Sequence, residues 1–345
     1  MGLKLKDVVI KHEVEISDFE NKKLVVDSYN ILYQFLASIR QKDGTPLQDS
    51  SGNTTSHLSG LFHRSAKLMQ GGIKLAYVFD GKPPKLKEKE RERRAEVKVE
   101  AQRQYEIAKE REDIDLMKKY SMRTSVLSKE MIREAKELID ALGLPIIDAP
   151  SEGEAQAAYM VNKGEAYGEV SQDYDCLMFG VPILIQNLTI SEKRKLPGKA
   201  SFVTVKPTII DLKENLKELG IDQEQIIMIG ILIGTDYNRD GIKGIGQKKA
   251  LDLVKKYKDN YETMFKDVKW DNYFDFDWKE VYGTIKNMPT SDDYNLEWKP
   301  INNEKLYEIL VETHDFSRER VDLVIEKLGE TLKKKSQKGL SDFFT

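Results

Sequence analysis

Two short apolar runs, each ending in an aspartate, constrain this chain more than anything else in it. One reads Lys22-Lys23-Leu24-Val25-Val26-Asp27; the other reads Lys74-Leu75-Ala76-Tyr77-Val78-Phe79-Asp80. Runs this short, apolar at consecutive rather than alternate positions, bury both faces, as interior strands of a parallel sheet do. Parallel strands need a crossover. Residues 31–39 and 58–69 supply helical spacing, and the stretch 43–57, rich in Gly, Ser, Thr and Asp, reads as a loop. The expected fold class is therefore α/β, a central and mostly parallel twisted sheet flanked by helices.

The rhythm breaks at residues 82–127. After Pro83-Pro84 the chain is dense in Lys, Arg and Glu, as a solvated helical arch or cap would be. It resumes with a helix at 129–142, a strand at 144–148, a helix at 154–163, and strands near 169–171 and 181–186. Helices at 225–233 and 246–257 then enclose a glycine-bearing loop. One domain, 1–330, is expected. Its parts are 1–81, the arch 82–127, an internal part 128–257 with the helix–loop–helix at 225–257, and a helical part 258–330. A flexible tail, 331–345, follows.

Acidic residues recur at the strand ends. Asp27 and Asp80 close the first two strands, Glu152 and Glu154 open the helix after the next, Asp173 and Asp175 follow another, and Asp236 lies in a Gly-Thr-Asp loop. Ligands of open α/β sheets bind beyond the carboxyl ends of the strands. Each residue alone has a plainer explanation, as an N-cap, a turn residue or a favourable charge at a helix start. Five segments placing acids at equivalent positions is a far harder coincidence. Carboxylates so close cannot all stay ionised without cations. The single cysteine, Cys176, and four scattered histidines exclude a thiolate or imidazole cage. The cation expected is hard and oxygen-bound, Mg²⁺ with Mn²⁺ as a substitute; two ions would clamp a phosphodiester.

Two basic features complete the pattern. Lys87 and Arg94 are seven residues apart and share a helix face; over the acidic rim they would stabilise charge on a phosphate. The plainer reading is a solvated helix with i,i+4 pairs such as Glu90–Arg94. Gly241, Gly244 and Gly246 precede a helix whose first turn carries Lys248 and Lys249, where the helix dipole disfavours cations unless an anion binds. A tight interhelical turn is the alternative. Net charge is only −3, so nucleic acid would have to meet a local basic surface.

These motifs, in this order, resemble the flap endonucleases, structure-specific 5′ nucleases of replication and repair. The resemblance rests on Val25-Val26-Asp27, Tyr77-Val78-Phe79-Asp80-Gly81-Lys82-Pro83-Pro84, Ala149-Pro150-Ser151-Glu152-Gly153-Glu154-Ala155, Asp173-Tyr174-Asp175-Cys176, Gly234-Thr235-Asp236-Tyr237 and Gly244-Ile245-Gly246. The terminal Gln337-Lys338-Gly339-Leu340-Ser341-Asp342-Phe343-Phe344 belongs to the same set. It implies that the seven carboxylates hold two metals and that Lys87 and Arg94 act as electrostatic catalysts. Tyr33 would stack a base, and Arg40 and the stretch around Thr55 would lie on the wedge and 3′-flap side. Gly244, Gly246, Lys248 and Lys249 would grip duplex backbone, and the Gly2 amine would lie near the active site. Gln337, Leu340, Phe343 and Phe344 would bind a sliding clamp of the PCNA type, the apolar trio forming a knob on a polar tether. The implied substrate is branched flap DNA, cut by hydrolysis.

Against the family pattern, the loop between Asp236 and Gly244 is a residue longer than in eukaryotic members, Gln247 replaces a common proline, and no long basic extension follows the clamp motif. An archaeal type is implied, with no nuclear address. No apolar stretch approaches a bilayer span and no secretory leader is seen, so the expectation is a cytoplasmic, nucleoid-associated protein, monomeric alone. Three rivals remain: a bubble- or junction-cutting relative or processive 5′ exonuclease, a clamp-tethered DNA-binding module without catalysis, and a metal phosphatase or RNase on a similar sheet.

Overall fold

The two aspartate-terminated runs pair directly, in parallel, with Asp27 opposite Val78. The computed structural model describes residues 5–111, 113–121, 124, 126–190, 193–195 and 202–341. Its strands are β1 (His12–Glu13), β2 (Lys23–Asp27), β3 (Lys74–Phe79), β4 (Ile146–Asp148), β5 (Gly168–Val170), β6 (Ile183–Gln186), β7 (Lys193–Lys195), β8 (Phe202–Thr204) and β9 (Thr208–Asp211). Seven of them make one sheet in the order β1-β9-β6-β5-β2-β3-β4. The run from β6 to β4 is parallel; β9 and β1 add an antiparallel edge. The mostly parallel α/β sheet expected from the sequence is the sheet found.

Helices α1 (Ser28–Ser38) and α2 (Ser56–Gln70) cross from β2 to β3. Next come α3 (Glu88–Glu110) and α4 (Ile114–Ser121), then α5 (Lys129–Ala141) leading into β4. Helix α6 (Gly153–Asn162) joins β4 to β5, and the single turn α7 (Asp175–Met178) joins β5 to β6. Beyond β9 follow α8 (Leu212–Leu219), α9 (Gln223–Ile233), α10 (Gln247–Tyr257), α11 (Tyr261–Asp267), α12 (Trp278–Lys286), α13 (Asn303–Tyr307) and α14 (Arg318–Ser341).

Alternation along the central strands divides the core in two. Val25, Ala76, Val78 and Ile147 face the layer of α6, α7 and α9 to α12. Leu24, Val26, Leu75, Tyr77 and Phe79 face α1, α2, α5, α13 and α14. Helix α9 is buried almost all round, from Gln225 to Leu232, which is why its sequence shows an apolar run instead of a stripe.

Three features depart from expectation. The antiparallel edge was missed because β1 has two residues and its partner lies far along the chain, His12 opposite Ile209. The hairpin of β7 and β8 and helix α8 were also unread. And helical backbone runs into the expected tail: α14 continues to Ser341, through Lys- and Glu-rich sequence of high helix propensity.

Candidate active site

Strand β2 carries the topological switch. The chain leaves it toward β3 and β4 on one side, then returns to lay β5 and β6 on the other. A crevice opens at the carboxyl ends of such strands. Asp27 ends β2 there and caps α1, accepting the Asn30 N–H at 3.1 Å, while the Ser171 hydroxyl beyond β5 donates to its other oxygen at 3.0 Å. Asp80 follows β3 and accepts the Gly153 N–H at 2.7 Å. The loops after β3 and β4 are zipped together: the Gly81 N–H donates to the Ser151 carbonyl at 2.7 Å and the Lys82 N–H to Pro150 at 3.2 Å. This closeness requires glycine. A Cβ on Gly81 would stand 2.0 Å from the Ala149 carbonyl oxygen, and one on Gly153 would press on the Asp80 carboxylate at 2.8 Å. Glu152 is the N-cap residue of α6, Glu154 lies in its first turn, and Asp175 opens α7.

Four of the seven carboxyls, Asp27, Asp80, Glu154 and Asp173, are pushed upward by burial and by the acids around them. Burial, then Asp80, pushes the Asp27 carboxyl up to about 7; burial, then Glu152, pushes Asp80 up to about 6. Burial and the charges of Asp173, Asp175 and Asp27 push Glu154 well up, and Asp173 rises with burial and with Asp236 nearby. An eighth acid lies beneath them, unforeseen from sequence. Glu169 on β5 is fully buried, accepts the Cys176 thiol at 3.1 Å, and is pushed well up by burial. Its only signal was an acid inside a short apolar strand.

Positive charge enters from the arch. Lys87 lies 2.6 Å from Glu152 and 3.4 Å from Asp236, and Arg94 donates to Asp236 through Nη2. Burial opposes the Lys87 charge, but Glu152 and Asp236 outweigh it and hold the ammonium above the usual lysine range. Among the described residues, no three of His, Cys, Asp and Glu close into a metal cage. The donor set nevertheless fits a hard cation: oxygen ligands only, buried or half-buried, with several carboxyls driven upward by burial and each other's charge. Asp27, Asp80, Glu152, Glu154, Asp173, Asp175 and Asp236 are the residues that would hold it.

Residues expected to meet DNA divide. Tyr33, one turn into α1, is 37% exposed and lies under the Lys98 ammonium, 4.9 Å from its ring centre. Arg40 donates to the Gly44 carbonyl at 2.9 Å, and that carbonyl also accepts the Ser121 hydroxyl at 2.7 Å, which ties the arch to this loop. Thr55 is 4% exposed as a residue, its N–H on the Leu47 carbonyl. Lys248 and Lys249 are exposed on the first turn of α10. A Cβ on Gly244 or Gly246 would meet nothing within 4 Å, leaving open space before the helix N-terminus. Gln337 and Leu340 lie on the backbone of α14; Phe343, Phe344 and the Gly2 amine fall outside the described residues.

Comparison with known proteins shows what the chain as a whole is similar to. Residues 1–101 match the model of the XPG N-terminal domain and residues 143–236 that of the XPG I-region. The chain is 49% identical to flap endonuclease 1 of Staphylothermus marinus over 352 aligned residues, covering all of both, and 46% identical to that of Pyrococcus furiosus, covering all of this chain and 99% of the other. The solved structure of flap endonuclease-1 from Methanococcus jannaschii superposes with a TM-score of 0.76 at 37% identity, over 97% of this chain and 100% of that one. The catalytic core of Rad2 in complex with DNA substrate shares the fold, with a TM-score of 0.66 at 23% identity, over 92% and 96% of the two chains.

Proposed function

Because the chain belongs to the flap endonuclease family, we propose that the crevice beyond β2 is where it hydrolyses branched DNA, removing 5′ flaps at single-strand/duplex junctions and trimming 5′ ends as an exonuclease. The observation that carries this is the union of seven carboxylates from five segments with two cations of the arch, Lys87 and Arg94, reaching into them. The cofactor is Mg²⁺, two ions per site, with Mn²⁺ able to substitute. When bound, such a pair lowers the pKa of water and stabilises charge on the attacking and leaving oxygens.

The chain's own groups do the rest. The seven carboxylates fix where the ions sit, and the Asn30 and Gly153 N–H groups and the Ser171 hydroxyl fix Asp27 and Asp80. Lys87 and Arg94 offer charge to the scissile phosphate; water adds at phosphorus as the P–O3′ bond breaks, so the phosphate stays as the 5′ end of one product and the other ends in a 3′-hydroxyl. Tyr33 offers a ring face to an unpaired base beside it. Gly244, Gly246, Lys248 and Lys249 hold duplex backbone without reading sequence, and Arg40 borders the junction. Gln337, Leu340, Phe343 and Phe344 dock a PCNA-type sliding clamp; the activity serves Okazaki fragment processing and repair, and the protein works in the cytoplasm of a prokaryotic cell. Without its partners the protein is a monomer.

The test is cleavage of a 5′-labelled double-flap DNA in Mg²⁺ by wild type and Asp175→Ala, with a bubble and a nicked duplex alongside. Product at the flap base from wild type only is expected. Tight junction binding without any product would instead favour a non-catalytic adaptor.

A further inference from the structure

We propose that Glu90 is a positioning residue for Arg94: it holds the Nε edge of that guanidinium so that the Nη edge points at the acidic rim. The proposal rests on the nuclease reading. From sequence, Glu90 and Arg94 are an ordinary i,i+4 pair on a solvated helix. The structure places them otherwise. Glu90 is only 7% exposed, on a helix whose other charged residues, among those described, face solvent or half-face it. Its Oε1 accepts Arg94 Nε at 2.9 Å and Arg93 Nη2 at 2.7 Å; its Oε2 accepts Arg93 Nε at 2.8 Å and lies 3.8 Å from Arg239 Nε.

Three guanidiniums around one carboxylate exceed what helix stability needs. The arrangement sorts them. A guanidinium is a rigid fork, so fixing one edge fixes the other. With Nε committed to Glu90, Arg94 presents Nη2 to Asp236, the edge a phosphate would use. Arg93, one residue earlier and of like charge, is held on the same carboxylate through both Nε and Nη2. Arg239 sits in the loop that carries both Asp236 and the glycines before α10, so Glu90 also ties the base of the arch to the duplex-gripping element. A free arginine stem in this place would sample many rotamers and bring Nη to the phosphate in few of them.

The experiment compares wild type, Glu90→Gln, Arg94→Ala and the double variant in single-turnover cleavage of flap DNA. In parallel, the arginine Nε–H signals of ¹⁵N-labelled protein are followed by NMR without metal or DNA, Arg94→Ala identifying the relevant one. Glu90→Gln should slow cleavage about 10–100-fold, as losing the outer partner of a reacting group does. Junction affinity measured in Ca²⁺ should change by less than about twofold, and so should the rate when Glu90→Gln is added to Arg94→Ala, since groups acting as one unit are not additive. The Arg94 Nε–H, protected in wild type, should exchange rapidly in Glu90→Gln. A full penalty for Glu90→Gln without Arg94, or a protected Nε–H in the variant, would overturn the proposal. If wild type itself cuts no flap, the nuclease reading fails, and the Nε–H comparison still decides whether Glu90 holds Arg94.

Discussion

Asp27 carries two duties that conflict. As the N-cap of α1 it accepts the Asn30 N–H, which favours a hydrogen-bonding side chain; as a rim acid it is buried against Asp80, which disfavours charge. Asparagine keeps the first and removes the second, since both residues cap helices about equally well. Asp27→Asn should therefore melt at or above the wild-type temperature in metal-free buffer, while flap cleavage falls by orders of magnitude; a marked loss of melting temperature would show that the carboxylate is structural. A different buried acid behaves the opposite way. Asp49 lies in the loop before α2, where burial raises its carboxyl but the His314 ring, 2.9 Å away, and two hydrogen bonds from Asn53 outweigh that and hold it below the usual range. A depressed folded-state pKa means that the stabilisation is complete above the ordinary aspartate value of about 4 and disappears as pH falls through the lower one. Melting curves of wild type and Asp49→Asn should converge below that pH and separate above it; a constant gap would exclude the His314 pair as the cause. His314 also lies 3.5 Å from Glu134, which approaches His57 at 3.3 Å, so this cluster joins the loop to the C-terminal helices.

Elements differ in how plainly their sequence announces them. The strands β2 and β3 and the helices between them were legible because consecutive apolar residues with polar boundaries leave few other folds. Part of the rim was legible for the same reason: Asp27 and Asp80 close those two strands, and the parallel topology alone brings strand ends together. What was not legible depended on partners distant in sequence. Strand β9 is four residues that become a strand by pairing with β6 and β1. Glu90 looks like any acid of a charged helix until Arg239, 149 positions later, is brought beside it. The loop before α10 sits between these cases. Its glycines and lysines could be read, but the open space above Gly244 and Gly246 could not. If that space takes a phosphate backbone, replacing Lys248 and Lys249 together by alanine should weaken binding to flap DNAs of every sequence alike. It should also reduce the slope of log affinity against log salt by about one for each lysine in contact. Titrations by fluorescence anisotropy at several salt concentrations would measure this, and an unchanged slope would remove the loop from the interface.

At the scale of the whole molecule, a net charge of −3 conceals a separation that matters for stability. Acids are concentrated in one crevice, and the protein meets their repulsion with Lys87 and Arg94 on one side and with proton uptake on the other. The sign of the consequence follows from linkage. The Asp27 and Asp80 carboxyls titrate near 7 and 6 when folded but near 4 in an unfolded chain, so between those limits the folded state binds more protons. Metal-free protein should therefore lose stability as pH rises from about 4 to about 7, relative to a variant in which both residues are asparagine, and the difference should level off above that. A cation that binds the ionised rim reverses this. It favours only the folded state, raising stability with the logarithm of its concentration over its dissociation constant, and more strongly at pH 8 than at pH 5, where protons occupy its ligands. Calorimetry with Mg²⁺ or with chelator across that range would show the crossover: a metal-induced rise in melting temperature that grows with pH in wild type and is lost in the double asparagine variant. Equal rises at both pH values would place the ion elsewhere, and the proton-bearing carboxyls of the crevice would then need another explanation.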